Sequence, residues 1–274
     1  MLQIYRIESC LILRNHVNPV YLVSVPLVNT LMKIIPVIDL MRGQVVRALG
    51  GERHRYRPIE SGLCAGSNAL DITCALLELY PFRVLYVADI DAIQKNGSNA
   101  AVIEKLHQRF PRLELWVDSG IADVAGFTAW QGQHIGHAVI GSESFPESAL
   151  ISAVCSSHDA LYPLLSLDFK GERFHGEQRL LNDPEFWPEH VIVMMLARVG
   201  SLRGPDFDQL SELSRRAPHK KLYAAGGIRD AHDLARLARA GAHGALLASA
   251  LHQRLISASD LAASASEVDA TNAQ

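Results

Sequence analysis

The sequence predicts an α/β protein whose strands close into a (β/α)8 TIM barrel built from two half-barrel repeats. Two observations lead to this fold class. Eight short apolar segments alternate with helical patterns from residue 33 to residue 247, and a pair of turn motifs occurs twice at one spacing. Short buried strands separated by helices are typical of a parallel sheet, and eight such units usually close into a barrel.

Each predicted element follows from its own residue pattern. The strands are apolar runs that end near Asp, Gly or Ser, and the helices repeat apolar residues at helical spacing. The predicted strands cover residues 34–39, 84–89, 113–117, 138–140, 164–167, 191–196, 222–225 and 245–247. The predicted helices cover residues 69–80, 100–109, 206–215 and 229–239. A loop rich in Arg and Gly, residues 41–67, follows the first strand and contains a hairpin at residues 45–47.

A single barrel domain is predicted over residues 32–255. Residues 1–31 do not fit the barrel pattern and make a poor signal peptide, because polar residues interrupt their apolar run. Since Met32 leads directly into the first strand, we expect residues 1–31 to be a gene-prediction artefact or a disordered extension. Residues 256–274 are rich in Ala and Ser, which predicts a disordered tail.

Composition narrows the function classes. The net charge of -3 argues against a nucleic-acid partner or an acidic membrane surface, and no uncharged apolar run is long enough to span a bilayer. The four cysteines are scattered without metal-binding or redox spacing, which is typical of reduced thiols in a cytoplasmic protein. No metal or other cofactor is predicted, and the sequence does not indicate a protein partner.

The last two predicted strands carry the pattern of a phosphate site. Gly226 and Gly227 follow one strand, and Ala248 and Ser249 follow the next. Exposed backbone N–H groups at glycine turns and helix N-termini bind anions. Because the phosphate site of a (β/α)8 barrel is often built from the loops after strands seven and eight, we expect a phosphorylated small molecule to bind here.

The same motifs occur once earlier in the chain. Ser119-Gly120 and Gly141-Ser142 correspond to Gly226-Gly227 and Ala248-Ser249, and both pairs lie 107 residues apart (227 less 120, 249 less 142). Two pairs at one offset indicate an internal repeat. The repeat predicts a second phosphate-type turn pair after strands three and four.

Several motifs resemble the HisA/HisF family of histidine-biosynthesis barrels, and especially its HisA members. The resemblance rests on IIPVIDLMRGQVVR (residues 34–47), SLDFKGERF (residues 166–174) and AAGGIRD (residues 224–230). It implies a barrel that binds a substrate with a phosphate at each end. It also implies an Amadori aldose–ketose isomerisation of a phosphoribosyl aminoimidazole carboxamide, with Asp39 and Asp168 as the catalytic pair at the ends of strands one and five.

The expected chemistry suits two carboxylates. An Amadori rearrangement protonates a sugar ring oxygen and then moves a proton from C2, so it needs one general acid and one general base. We expect Asp168 to be the acid and Asp39 the base, an order that the sequence does not fix. Arg47, Lys170 and Gly204 are expected to support the site. The basic residues of the first loop, including Arg53, form either a mobile lid over an anionic substrate or a solvated loop.

Three positions depart from the HisA pattern. Asp118 stands at the turn where HisA has a glycine run, Met195 aligns with a threonine near the reacting centre, and Ala248-Ser249 replaces Gly-Arg. A carboxylate opposes phosphate binding, so Asp118 weakens or reshapes the site after strand three, or takes part in the chemistry. The departures are similar to those of the HisA/HisF-related branch of methanogens and methylotrophs, which is associated with tetrahydromethanopterin-type one-carbon metabolism.

Three functions therefore remain open. The first is a HisA-like isomerase with the histidine-pathway substrate. The second is a HisA-like enzyme that acts on a different phosphorylated intermediate, in tetrahydromethanopterin-type cofactor biosynthesis. The third is a non-catalytic barrel that binds a phosphorylated metabolite.

Overall fold

The computed structural model describes residues 3–7, 10–14, 32–145, 151, 154 and 161–266. Two compact units are present, and the first contains an antiparallel pair of strands, β1 (Gln3–Ile7) and β2 (Cys10–Arg14). The rest of residues 1–31 lies outside the described residues. That residues 1–31 arise from a gene-prediction error stays a prediction.

The second unit is a closed barrel of eight parallel strands, which confirms the predicted fold class. Each barrel strand pairs with the next one along the chain, and the barrel closes where Gly244–Leu247 pairs with Lys33–Pro36. The barrel strands are β3 (Lys33–Met41), β6 (Val84–Asp89), β7 (Glu114–Asp118), β8 (His137–Gly141), β9 (Leu164–Lys170), β11 (His190–Met195), β12 (Lys221–Ala225) and β13 (Gly244–Leu247).

Helices connect these strands and cover the outside of the barrel. Several begin at side-chain caps: Asn68, Asp123, Asp206 and Asp230 each accept a backbone N–H of the first helical turn. The helices are α1 (Ala69–Leu79), α2 (Ile90–Ile93), α3 (Ala100–Arg109), α4 (Val124–Gln131), α5 (Gln178–Asn182), α6 (Phe207–Arg216), α7 (Ala231–Arg239), α8 (Ser249–His252) and α9 (Ala258–Ser266).

Alternation along the strands divides the core into two layers. In β6, Tyr86 and Ala88 belong to the cluster inside the barrel, whereas Leu85 and Val87 belong to the larger cluster between strands and helices. All six residues of β6 are buried. The strands are therefore apolar on both faces, and this is why the sequence shows continuous apolar runs.

The two halves of the barrel repeat in detail. Asp123 and Asp230, also 107 residues apart, cap α4 and α7 with hydrogen bonds of 2.7 and 2.9 Å. A second correspondence concerns β3 and β9, which are each extended by an antiparallel strand, β4 (Gln44–Arg47) and β10 (Arg173–His175). On the first of these, β4 also pairs with a two-residue strand, β5 (Arg57–Pro58). Asp39 pairs with Val46 and Asp168 pairs with His175. The first hairpin was predicted, and the second was missed because residues 171–175 are short and polar.

The prediction of a disordered tail from residue 256 is wrong for residues 258–266, which form α9. Ile256 and Leu261 are buried, and α9 packs against α7 and β3. The prediction rested on the Ala- and Ser-rich composition of this segment and overlooked its two large apolar residues, Ile256 and Leu261. Residues 267–274 lie outside the described residues.

Among the described residues, the structure has no helix that is both long and apolar enough to cross a membrane.

Candidate active site

A cavity opens at the carboxyl ends of the barrel strands and contains three aspartates. Asp39 comes from β3, Asp118 from the end of β7 and Asp168 from β9. The carboxyl ends of parallel strands converge at one face of a barrel, so residues far apart in sequence meet there. A Cβ on Gly141 would lie 3.4 Å from Asp168 Oδ2 and 3.9 Å from Asp118 Oδ2, which shows how closely these two carboxylates approach.

Asp168 is buried and held in a fixed orientation. Its Oδ1 accepts a hydrogen bond from Ser166 Oγ at 2.7 Å, and its Oδ2 accepts one from the Glu143 N–H at 3.2 Å. Ser142 Oγ lies 3.2 Å from Oδ2, but the His175 carbonyl oxygen competes for its single proton at 2.6 Å. Burial raises the pKa of Asp168 to about 7, with smaller contributions from Glu143 and Asp118.

Asp39 has no such support. Among the described residues, no side chain or backbone group donates a hydrogen bond to its carboxylate. Burial and the neighbouring charge of Asp118 raise the pKa of Asp39 to about 7. A carboxylate without a protein partner is free to contact a bound molecule, and one with a pKa near 7 takes up and releases protons at neutral pH.

Asp118 interacts electrostatically with both other aspartates, because its charge contributes to the raised pKa of Asp39 and of Asp168. Its Oδ1 accepts the Gly120 N–H at 3.0 Å, and the Tyr86 hydroxyl lies 3.5 Å from its Oδ2. Burial raises the pKa of Asp118 to about 6, and the hydrogen bond from Gly120 opposes this rise. Burial and the nearby aspartates keep the pKa of Tyr86 well above its ordinary value, so its hydroxyl remains a proton donor in the cavity.

The turns after β12 and β13 line the opposite side of the cavity. Gly226 and Gly227 have φ values of +104° and +85°, and a Cβ on either would lie 2.6 Å or less from a backbone carbonyl oxygen. Among the described residues, no acceptor binds the N–H groups of Gly226, Gly227 or Ser249. These N–H groups lie at the cavity wall, and their role as a phosphate site stays a prediction.

In the turns after β7 and β8, three N–H groups are bound by acceptors within the protein. The Ser119 N–H has no acceptor among the described residues, but Ser119 does not line the cavity. The Gly120 N–H is bound to Asp118, the Ser142 N–H to the Ser166 carbonyl and the Glu143 N–H to Asp168. The Gly120 backbone is also packed so closely against Ile93 that a Cβ there would lie 2.7 Å from its Cα. Ser119, Gly120, Gly141 and Ser142, the earlier copy of the repeat, are thus not lining residues of the cavity.

The remaining residues of the predicted site are divided between the cavity and its surroundings. Lys170 lines the cavity, but Arg47 lies on an exposed face of β4 and does not reach it. Gly204 donates its N–H to the Gly227 carbonyl at 2.9 Å and so braces the glycine turn from outside. Met195 packs in the outer core, and its neighbour Met194 faces the cavity. The alignment of Met195 with a cavity position was therefore shifted by one residue, which reverses the side of a strand.

Sequence reasoning missed one ion pair at the cavity wall. Arg53 in the first loop binds Glu143, which follows β8. The same loop contacts the turn after β11, where the Gly50 N–H donates to the Val199 carbonyl at 2.9 Å. A Cβ on Gly200 would lie 2.0 Å from the Ala48 carbonyl oxygen, so only glycine permits this contact. The basic loop is thus docked over the barrel mouth through Arg53 and Gly50.

One group among the described residues has the spacing of a metal site, at the start of α7. It consists of Asp230, His232 and Asp233. Both oxygens of Asp233 are bound by the Arg229 guanidinium, at 2.7 and 2.8 Å, and Asp230 caps the helix. These structural roles account for the two carboxylates without a metal ion.

Comparison with known proteins identifies the family. A family model described as "Histidine biosynthesis protein" matches residues 33–257, which cover the whole barrel. The chain belongs to this histidine biosynthesis family. Its barrel, with aspartates on the first and fifth strands, is the fold that the resemblance implied.

Individual relatives of this family member are distant. It is 26% identical over 230 residues to an uncharacterized protein of Methanocaldococcus jannaschii, covering 82% of this chain and 95% of the relative. It is also 26% identical over 245 residues to a protein of Listeria monocytogenes, covering 84% and 97%, and over 243 residues to one of Myxococcus xanthus, covering 84% and 98%. Both of these are named as isomerases of an imidazole-4-carboxamide that carries two phosphoribosyl groups.

Proposed function

We propose that the protein is an isomerase that interconverts an aldose and a ketose form of a phosphorylated sugar derivative by acid–base catalysis. The observation that carries this proposal is the pair Asp39 and Asp168, on opposite sides of one cavity, each with a pKa of about 7. Two carboxylates that titrate near neutral pH are suited to exchange protons with a substrate. The relatives named as isomerases support the reaction class.

In the proposed reaction the two aspartates transfer protons, and the backbone N–H groups of the glycine turns bind the phosphate. Asp168, held by Ser166 and the Glu143 N–H, protonates the ring oxygen, and the sugar ring opens. Asp39 then removes the proton from C2 to give an enol, and addition of a proton to C1 with loss of the C2 hydroxyl proton gives the ketose. The unused N–H groups of Gly226, Gly227 and Ser249 hold the substrate phosphate, so that the sugar lies between the two aspartates. The cytoplasmic location expected from the cysteines is part of the same proposal.

The turns after β7 and β8 favour a second candidate, in which the chemistry is the same but the substrate differs. The N–H groups of Gly120, Ser142 and Glu143 are already bound, and the carboxylates of Asp118 and Glu143 line the cavity beside them. This is unsuited to the second phosphate of the substrate named for the Listeria relative. A phosphorylated intermediate of tetrahydromethanopterin-type cofactor biosynthesis is the alternative.

Two experiments test the proposal. In purified protein, Asp168→Asn should lower turnover by about a hundredfold or more, while inorganic phosphate binding measured by calorimetry stays within about threefold. If the variant retains its turnover, Asp168 is not the acid. Complementation of a histidine auxotroph that lacks HisA separates the candidates, because growth that depends on Asp168 supports the histidine-pathway substrate. Absence of any turnover together with tight phosphate binding would favour a non-catalytic binding protein.

A further inference from the structure

The two sides of the cavity differ sharply in chemistry, although the half-barrels repeat. The side formed by β12 and β13 offers the N–H groups of Gly226, Gly227 and Ser249, which have no acceptor among the described residues. The side formed by β7 and β8 offers the carboxylate oxygens of Asp118 and Glu143, while the N–H groups of Gly120, Ser142 and Glu143 are bound internally. One side therefore presents hydrogen-bond donors to a bound molecule, and the other presents acceptors.

Charge in the cavity reinforces this difference. Four carboxylates, those of Asp39, Asp118, Glu143 and Asp168, line it. Among the described lining residues, two Arg or Lys side chains face them, Arg53 and Lys170, and Arg53 is paired with Glu143. A phosphate placed beside Asp118 and Asp168 would meet like charges with little solvent between them, whereas an ammonium group would be attracted.

Asp118 also blocks the donor on which a phosphate at this turn would depend. Its Oδ1 accepts the Gly120 N–H at 3.0 Å, so the aspartate carboxylate already occupies the place of an anion at the turn. At the corresponding turn of the other half, 107 residues later, Ala225 stands at this position, and its methyl group cannot accept a hydrogen bond. Asp118 thus satisfies the turn from within and leaves its second oxygen directed to the Tyr86 hydroxyl and the cavity.

We propose that Asp118 is a specificity-determining residue, which excludes a second phosphate and selects a monophosphate substrate with an amino group at its other end. This inference rests on the proposed function, since it takes the turns after β12 and β13 as the phosphate site. It places the enzyme's substrate in a different class from the bis-phosphoribosyl compound named for the Listeria and Myxococcus relatives.

A graded series of straight-chain alkyl phosphates tests this inference. Each compound ends in an ammonium, a hydroxyl or a second phosphate, and binding to the full-length protein is measured by calorimetry at pH 8. At the best chain length, the ammonium compound should bind at least about tenfold more tightly than the bisphosphate. Asp118→Asn keeps an oxygen for the Gly120 N–H but loses the charge, and it should reduce this preference to within about threefold. Asp118→Ala frees that N–H as well and should improve bisphosphate binding further.

Two outcomes overturn the inference, and a third identifies a failure of the proposed function instead. A bisphosphate that binds the unmodified protein more tightly than the ammonium compound overturns it. An ammonium preference that is unchanged in Asp118→Asn also overturns it. The matched control is Glu60→Gln, which removes an exposed carboxylate away from the cavity. If inorganic phosphate does not compete with any compound of the series, the phosphate site after β12 and β13 is wrong, and the proposed function fails with it.

Discussion

Replacing Asp39 with Asn should stabilise the folded protein at alkaline pH while it abolishes activity. Asp39 is partly buried, and no described residue donates a hydrogen bond to its carboxylate. Its pKa rises from 3.8 to about 7 because burial and the charge of Asp118 disfavour the ionised form. Above pH 7 the folded protein therefore contains a carboxylate that is less stable than it would be in the unfolded chain. Asn has nearly the same shape and carries no charge.

The sign and size of the effect follow from proton linkage. Between pH 4 and pH 7 the unfolded chain loses the Asp39 proton while the folded protein retains it, so stability falls as pH rises. A shift from 3.8 to about 7 corresponds to roughly 4 kcal/mol at about 1.4 kcal/mol per pH unit. Since the side chain keeps some exposure to solvent, we expect about half of this, roughly 2 kcal/mol, for Asp39→Asn above pH 8. Below pH 4 the difference should vanish.

Urea denaturation at a series of pH values measures this difference. The free energy of unfolding of Asp39→Asn should exceed that of the unmodified protein by an amount that grows between pH 4 and pH 7 and is constant above pH 8. Glu60→Gln, which removes an exposed carboxylate, should show no such growth. A variant that is less stable at pH 8, or a difference that does not depend on pH, would refute the reasoning about the buried charge.

Three further predictions follow from the same structure. The pH profile of kcat/KM should be bell-shaped with a maximum near pH 7, because the pKa values of Asp39 and Asp168 are both about 7; a flat profile from pH 5 to pH 9 would contradict this. Gly227→Ala should weaken phosphate binding in calorimetry by about tenfold or more, since its Cβ would lie 2.4 Å from the Gly204 oxygen. Its control, Gly43→Ala, has a similar φ but open space, and should leave binding unchanged. Leu261→Ala should lower the free energy of unfolding, measured by urea denaturation, by about 2–5 kcal/mol, because Leu261 is buried. Leu255→Ala, at an exposed position, should lower it by less than about 0.5 kcal/mol, and equal losses would show that α9 does not pack in the core.

Local sequence patterns were sufficient for the fold and for the aspartates and the glycine turn of the cavity. Continuous apolar runs marked the barrel strands because both faces of those strands are buried. The ends of these runs then located Asp39, Asp168 and the glycine turn at residues 226–227. Their convergence in one cavity follows from parallel strand order alone, since all carboxyl ends lie on the same face of the barrel.

The failures concern features that depend on contacts between distant segments. Composition suggested disorder after residue 256, but Ile256 and Leu261 are buried because α9 lies on α7 and β3. Arg47 was expected at the site, yet the hairpin of β4 exposes it, while Arg53, six residues later, reaches Glu143. A one-residue difference in register also exchanged Met194 for Met195 at the cavity.

The sequence by itself determined the barrel, its two halves and the aspartates at the strand ends, because these depend on periodicity and on residues near one another along the chain. Only the tertiary structure decided how the cavity is charged. The Gly120 N–H is bound by Asp118, whereas no described residue accepts the N–H groups of Gly226 and Gly227, although the same repeat encodes both turns. Burial then raises the pKa values of three aspartates towards neutrality, and burial is a property of the folded surroundings rather than of the residue.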